Sequence, residues 1–154
     1  MRTTDSRKGA PSVAAVPTAT ELWFAMNSLV RDHAVESRAR IDARVDMPFS
    51  RFRALRRIAV RDLTQSDLAK RLGIDAPATS GIVNDLVDRG LVTREPHPTD
   101  RRYKVVTITD DGRRIVDSVI ADPAIAPTMF ASLDDEQLRD LGSLLDALRE
   151  AAES

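Results

Sequence analysis

The sequence predicts a mainly α-helical fold that carries one small β hairpin. Three observations predict it. Apolar residues recur at helical spacing through most of residues 18–154. Between residues 63 and 90 two short helical patterns meet at a tight turn, Gly73-Ile74-Asp75. Two short runs rich in Val, Thr and Tyr, residues 91–95 and 103–108, flank the charged tip PHPTDRR. Helix, turn, helix, strand, projecting tip, strand is the order of a winged helix-turn-helix. That layout places one helix in a DNA major groove and a basic wing beside it.

Length and composition bound the rest. A chain of 154 residues predicts a single unit, and 42% apolar residues are enough for its core. With no cysteine the chain has no disulfide, no thiolate metal site and no thiol redox switch. No apolar run approaches the roughly 18 residues of a membrane span, and the N-terminus lacks the apolar stretch of a signal peptide. A cytoplasmic protein without membrane association is expected. The net charge of −1 hides a division along the chain. Residues 51–104 carry twelve Lys or Arg against seven acids, whereas residues 105–154 carry four against eleven. The basic excess falls on the helix-turn-helix and wing, where phosphates would lie.

Each element has a local reason. Residues 1–17, rich in Ser, Thr, Ala and Pro, read as a disordered tail. Thr18 and Glu21 have capping-box spacing. Leu22, Met26, Leu29, Val30 and His33 then share one helical face, in a helix expected to run to about Val45, before Met47-Pro48 stops it. So long a striped helix suits a dimer interface. A second helix is expected over residues 50–60, burying Phe52, Leu55, Ile58 and Ala59. The arginines around it, Arg51, Arg53, Arg56, Arg57 and Arg61, divide between DNA-backbone contact and a solvated face.

Thr64 is placed to cap the third helix, with Asp67 reaching back and Leu68, Ala69 and Leu72 pointing inward. Gly73 suits the left-handed position after a helix. Asp75 caps the next helix, and Pro77 lies in its first turn, where a missing N–H is harmless. Ala78, Ile82, Leu86 and Val87 are its expected core face, and Gly90 ends it. Thr109-Asp110-Asp111 opens a further helix with Ile115, Val116, Val119 and Ile120 on its apolar side. Pro123 and Pro127 interrupt helical structure beyond Asp122. Ser132 or Asp134 caps the last helix, whose stripe of Leu138, Leu141, Leu144, Leu145 and Leu148 is wide enough to expect a second chain against it.

The wing carries a resemblance. The pattern Asp-x-Arg-x-x-x-Val-x-Leu-Thr of the multiple antibiotic resistance regulator (MarR) family is met by DRRYKVVTIT, that is Asp100, Arg102, Val106, Ile108 and Thr109, with Ile in place of Leu. TQSDLAKRLGI and LVDRGLVTRE also resemble that family's helix-turn-helix, and the likeness covers nearly all of residues 20–150. It implies mainly α structure with a small β wing, as one unit over residues 18–154. Residues 18–45 and 111–154 would supply dimerisation helices, and residues 50–109 the DNA-binding region. It implies a homodimer that binds a pseudo-palindromic double-stranded operator as a transcriptional repressor, with no cofactor.

Carried over residue by residue, Asp100 would orient Arg102, through a bidentate pair, toward the minor groove. Arg101, Lys104 and Arg53 join as DNA-binding candidates. On the recognition helix the candidates are Ala76, Pro77, Thr79, Ser80 and Asn84, the last as a reader of adenine. Gly81 and Asp85 depart from the family, which often has Arg at the first position and a basic residue at the second. Gly81 costs about 1 kcal/mol of helix propensity relative to Ala, and Asp85 would repel a phosphate that it faced. The resemblance also implies a pocket for a small aromatic or anionic effector, with Trp23, Phe49, Arg51 and Phe52 as candidates; core packing is the ordinary role of the aromatics among them.

No catalytic constellation is apparent. His33 and His97 are the only histidines, the first expected at a core or interface and the second at solvent or phosphate. There is no Gly-rich phosphate loop and no nucleophile elbow. The sequence expectation is therefore a non-enzymatic, ligand-responsive DNA-binding regulator. A dimeric winged-helix module that acts by protein–protein contact, its DNA binding weakened or lost, stands as the alternative, and Gly81 and Asp85 favour it.

Overall fold

A computed structural model describes residues 15–153, so most of the expected tail, residues 1–14, lies outside the described residues. The chain forms two compact units, the first ending at His33 and the second beginning at Ala34.

The first unit contains helix α1, Ala19–Asp32. The Thr18 hydroxyl accepts the Glu21 N–H, while the Glu21 carboxylate accepts the Thr18 N–H at 2.7 Å, closing the expected capping box. Leu22, Trp23, Phe24, Met26, Leu29 and Val30 are all exposed. The single long helix expected to reach Val45 is broken. His33 leaves helical geometry at φ −104° and ψ 6°, and a new helix begins at the next residue. Asp32 and His33, both weak helix formers, sit at the break.

The second unit begins with α2, Ala34–Arg44, and α3, Phe49–Val60. Phe52, Ala54, Leu55 and Ile58 of α3 are buried and form the middle of the core. Burying side chains as large as Phe, Leu and Ile contributes about 1.5–3 kcal/mol each. Around them pack α4 (Gln65–Leu72), α5 (Ala76–Asp88) and α6 (Asp110–Ile120). The sheet has three antiparallel strands, β1 (Leu63–Thr64), β2 (Val92–Pro96) and β3 (Lys104–Ile108), in the order β1-β3-β2. β1 pairs Leu63 with Val106, and β2 pairs Arg94 with the same residue. A two-residue strand has no periodicity to read, which is why the sequence predicts only the hairpin.

After α6 the chain makes two short 3-10 helices, Pro123–Ile125 and Thr128–Ser132, and then α7, Asp135–Glu153. Of the two candidate caps, Asp134 is the one used. Its carboxylate accepts the Gln137 N–H at 2.9 Å, and the Gln137 side chain accepts the Asp134 N–H at 3.0 Å. Arg40 of α2 fastens the proline segment by donating to the carbonyls of Ala124 and Ala126 at 2.8 and 2.7 Å. Arg44 adds an ion pair to Asp122 at 3.3 Å. On α7, Leu138, Leu144 and Leu148 are exposed, and Leu141 and Leu145 half-buried.

Two expected core faces are corrected. On α5 the buried residues are Thr79, Ile82, Val83 and Leu86, whereas Ala78 is exposed and Val87 half-buried. On α6, Val116 and Val119 are buried with Gly112, but Ile120 is 68% exposed. It stands at the last position of the helix, beyond the packed face. Among the described residues no helix is long and apolar enough to cross a membrane.

Candidate nucleic-acid interface

The turn between α4 and α5 is built from local rules. Thr64 caps α4 by accepting the Asp67 N–H, and its own hydroxyl donates to the Asp67 carboxylate at 2.7 Å. Gly73 stands at φ 67°, a left-handed conformation that glycine adopts without a Cβ clash. Two residues on, the Asp75 carboxylate accepts the Ala78 N–H at 2.8 Å. The chain thus reverses in three residues, and α5 leaves the core with one flank outward.

That flank carries Ala76, Pro77, Ala78, Gly81 and Asn84, all exposed, with Ser80 half-buried and 3.4 Å from the Gln65 amide. Thr79 is removed from the candidate readers. It is 1% exposed, and its hydroxyl donates to the Asp75 carbonyl at 2.8 Å. This bond to the residue four earlier satisfies the hydroxyl and lets its methyl group join the core. Ala78 takes the outward place.

Asp85 does not present a bare carboxylate. It accepts from Arg51 Nε at 3.0 Å and from Arg89 Nε at 3.1 Å, and Arg89 also donates to the Asp46 carbonyl at 2.9 Å. These bonds, Arg51's first, hold the Asp85 carboxyl below the usual carboxylate range. The expected repulsion of phosphate is therefore offset by two cations. Arg53 donates to the Leu72 carbonyl at 3.1 Å, at the C-terminus of α4, where a cation also suits the helix dipole. It has a structural task within the helix-turn-helix.

The wing tip is ordered by its own side chains. His97 and Tyr103 are joined by a backbone hydrogen bond of 2.9 Å, and the Tyr103 N–H donates to the Asp100 carbonyl. The His97 ring accepts the Thr99 N–H at 3.3 Å, so this histidine serves the turn. Asp100 grips Arg102 in the bidentate manner. Nη2 and Nε lie 2.7 and 3.0 Å from the two carboxylate oxygens, and the Arg102 N–H adds a third bond at 3.1 Å. The grip lowers the Asp100 carboxyl and raises the Arg102 guanidinium from their ordinary values. Arg102 nonetheless remains 83% exposed. Arg101 and Lys104 are exposed beside it.

Between α5 and the wing lies an open cleft of about 440 Å³. Ser80 and Asn84 of α5 line it together with Arg94, Arg102, Tyr103 and Lys104 of the wing and Thr64, Gln65 and Ser66 at the start of α4. Arg94, absent from the residues the sequence singles out, donates from Nη1 to Asn84 Oδ1 at 2.8 Å. Its place on β2, ten residues beyond Asn84, gives no local signal; strand pairing brings it there.

The effector-pocket candidates fare differently. Phe52 is 2% exposed in the core, and Arg51 is bound to Asp85, so these two leave the assignment. Phe49 is half-buried beneath the Arg38 guanidinium, 5.6 Å from its ring centre, and Trp23 is exposed on α1.

A family model described as MarR family matches residues 45–102, the segment from the end of α2 to the wing tip. An uncharacterized HTH-type transcriptional regulator of Bacillus subtilis (strain 168), YdgJ, is 34% identical over 89 residues, which are 57% of this chain and 54% of that protein. The chain thus spans about half the length of this relative. Among solved structures, a MepR mutant from an S. aureus clinical isolate superposes with a TM-score of 0.73 at 18% identity, covering 89% of this chain and 99% of that one. A MarR mutant of E. coli complexed with operator DNA gives a TM-score of 0.58 at 20% identity, covering 86% and 99%. Fold, turn and wing agree with these matches: the chain has the winged helix-turn-helix fold, and residues 45–102 are similar to the MarR family.

Proposed function

We propose that the chain is a sequence-specific, double-stranded DNA-binding transcriptional regulator that works as a homodimer in the cytoplasm. One observation carries the reading. The exposed flank of α5 stands beside a wing whose Arg102 is fixed by Asp100 yet stays open to solvent. A guanidinium held in one orientation has already lost its rotamer freedom, so more of its interaction with a groove is retained as affinity. The cleft between them is lined by three cations and by no carboxylate.

The basic segment 51–104 supplies the general attraction to phosphate. The apolar faces of α1 and α7, left exposed, are the surfaces a second copy would cover. In this reading residues 50–109 bind DNA, and residues 18–45 and 111–154 join the two chains of one unit. The protein–protein alternative rests on Asp85 and Gly81. Asp85 is absorbed by Arg51 and Arg89, and Gly81 retains only its propensity cost.

Fluorescence-anisotropy titration of a labelled mixed-sequence duplex at several salt concentrations tests the reading. Binding should weaken linearly in log salt with a slope of several units, as neutralised phosphates release counterions. A chain that ignores duplex DNA at low salt would refute it.

A further inference from the structure

We infer that the cleft between α5 and the wing seats one phosphate of the DNA backbone, and that Arg94, oriented by Asn84, is its principal cation. The inference rests on the DNA-binding reading above and adds the chemistry of one contact to it.

Three features of the cleft point to an anion. First, its lining contains Arg94, Arg102 and Lys104 and no Asp or Glu, in a chain with one more acid than base. Second, three arginines near α5 and the wing are already paired with carboxylates: Asp85 takes Arg51 and Arg89, and Asp100 takes Arg102. Arg94 is instead held by a neutral amide, at 2.8 Å. The bond fixes the guanidinium without cancelling its charge. Third, the lining offers donors. A guanidinium can only donate, so the Asn84 oxygen must face Arg94, and the Asn84 NH₂ is left as a donor. The Ser80 hydroxyl and the Gln65 amide lie in the same cleft.

A donor-rich, cationic seat matches a phosphate, which only accepts. It does not match adenine, whose readout by Asn needs the amide oxygen and nitrogen together. Asn84 therefore leaves the role of adenine reader and becomes a positioning residue for Arg94.

The test uses the full chain and two duplexes, one selected as an operator and one of unrelated sequence, in a salt series. Arg94→Ala should weaken binding about tenfold on both duplexes and reduce the salt slope by about one unit, the signature of a lost phosphate contact. Arg94→Lys should restore the slope, because it restores the charge. Asn84→Ala should weaken binding severalfold at an unchanged slope, because the cation remains. A merely structural role would move the melting temperature of Arg94→Ala and leave the slope alone.

An unchanged slope in Arg94→Ala, or a loss confined to the operator, would overturn the phosphate seat while leaving the regulator reading intact. A wild-type protein that binds neither duplex would overturn both. Inorganic phosphate, followed through the Arg94 side-chain NMR signals, separates the two sources of the anion. Weak binding that the duplex displaces supports a backbone phosphate. Saturation that the duplex cannot displace would make the cleft a site for a free small anion and overturn the inference.

Discussion

Arg51 and Asp85, thirty-four residues apart in sequence, meet at 3.0 Å and join the start of α3 to the last turns of α5. Arg89 bonds the same carboxylate and extends the link to the Asp46 carbonyl. A residue that looks hostile to DNA in the sequence thus holds the recognition helix to its neighbours.

Asp85→Asn should destabilise the fold by about 1 kcal/mol at neutral pH, because the groups are partly exposed and solvent screens the pair. The Asp85 carboxyl titrates lower in the folded state than in the unfolded chain. Its contribution is therefore present above the ordinary carboxylate range and lost as pH falls through the lowered value. Urea midpoints of wild type and mutant should differ at neutral pH and converge in strong acid. A gap that persists in acid would mean that the carboxylate charge is not its source.

Gly112 and Gly81 should respond to alanine with opposite signs. A Cβ on Gly112 would overlap the Leu91 carbonyl oxygen and lie 2.9 Å from the Ile108 side chain, so the backbone must shift. The cost should be about 1–3 kcal/mol, as for other overpacked sites. At Gly81 nothing lies within 4 Å, and the residue is exposed mid-helix. Gly81→Ala should stabilise by up to about 1 kcal/mol through helix propensity. Thermal or urea unfolding of the two variants checks both signs.

These contrasts mark how far the sequence can be read. Capping signals are local, and so Thr18, Thr64, Gly73, Asp75 and Thr109 all take the expected positions. The phase of α5 is not local. Ala78 is apolar and Thr79 polar, but Thr79 hides its hydroxyl against its own helix and turns inward. Chain-distant pairings are equally invisible in the sequence: Arg51 with Asp85, Arg94 with Asn84, and the β1 pairing with β3. Asp100 and Arg102 are legible because they lie two residues apart in one tip.

The wing pair makes the sharpest mutational contrast. Arg102→Ala should weaken operator binding by about tenfold to a hundredfold with the melting temperature preserved, since the side chain touches no core. Asp100→Ala should lose less, because the charge of Arg102 survives. The double mutant should lose less than the sum of the two in free energy, as Asp100 acts through Arg102. Operator titration of the three variants decides. Strictly additive losses, or wild-type affinity in Arg102→Ala, would reduce the pair to an ordinary surface ion pair with no part in binding.

The exposed stripes on α1 and α7 predict that the folded chain is not monomeric. Sedimentation at micromolar concentration should show a dimer, and charge placed at Leu138 or Leu148 should weaken it. A stable folded monomer would contradict the proposed assembly.

The central claim is sequence-specific recognition of duplex DNA, and selection of bound fragments from a genomic library by the purified chain tests it most directly. The account predicts enrichment of an inverted repeat whose half-sites lie about 34–36 Å apart, one helical turn, with affinity that falls as salt rises. Recovery of fragments without a shared inverted repeat, or of none above background, would contradict it.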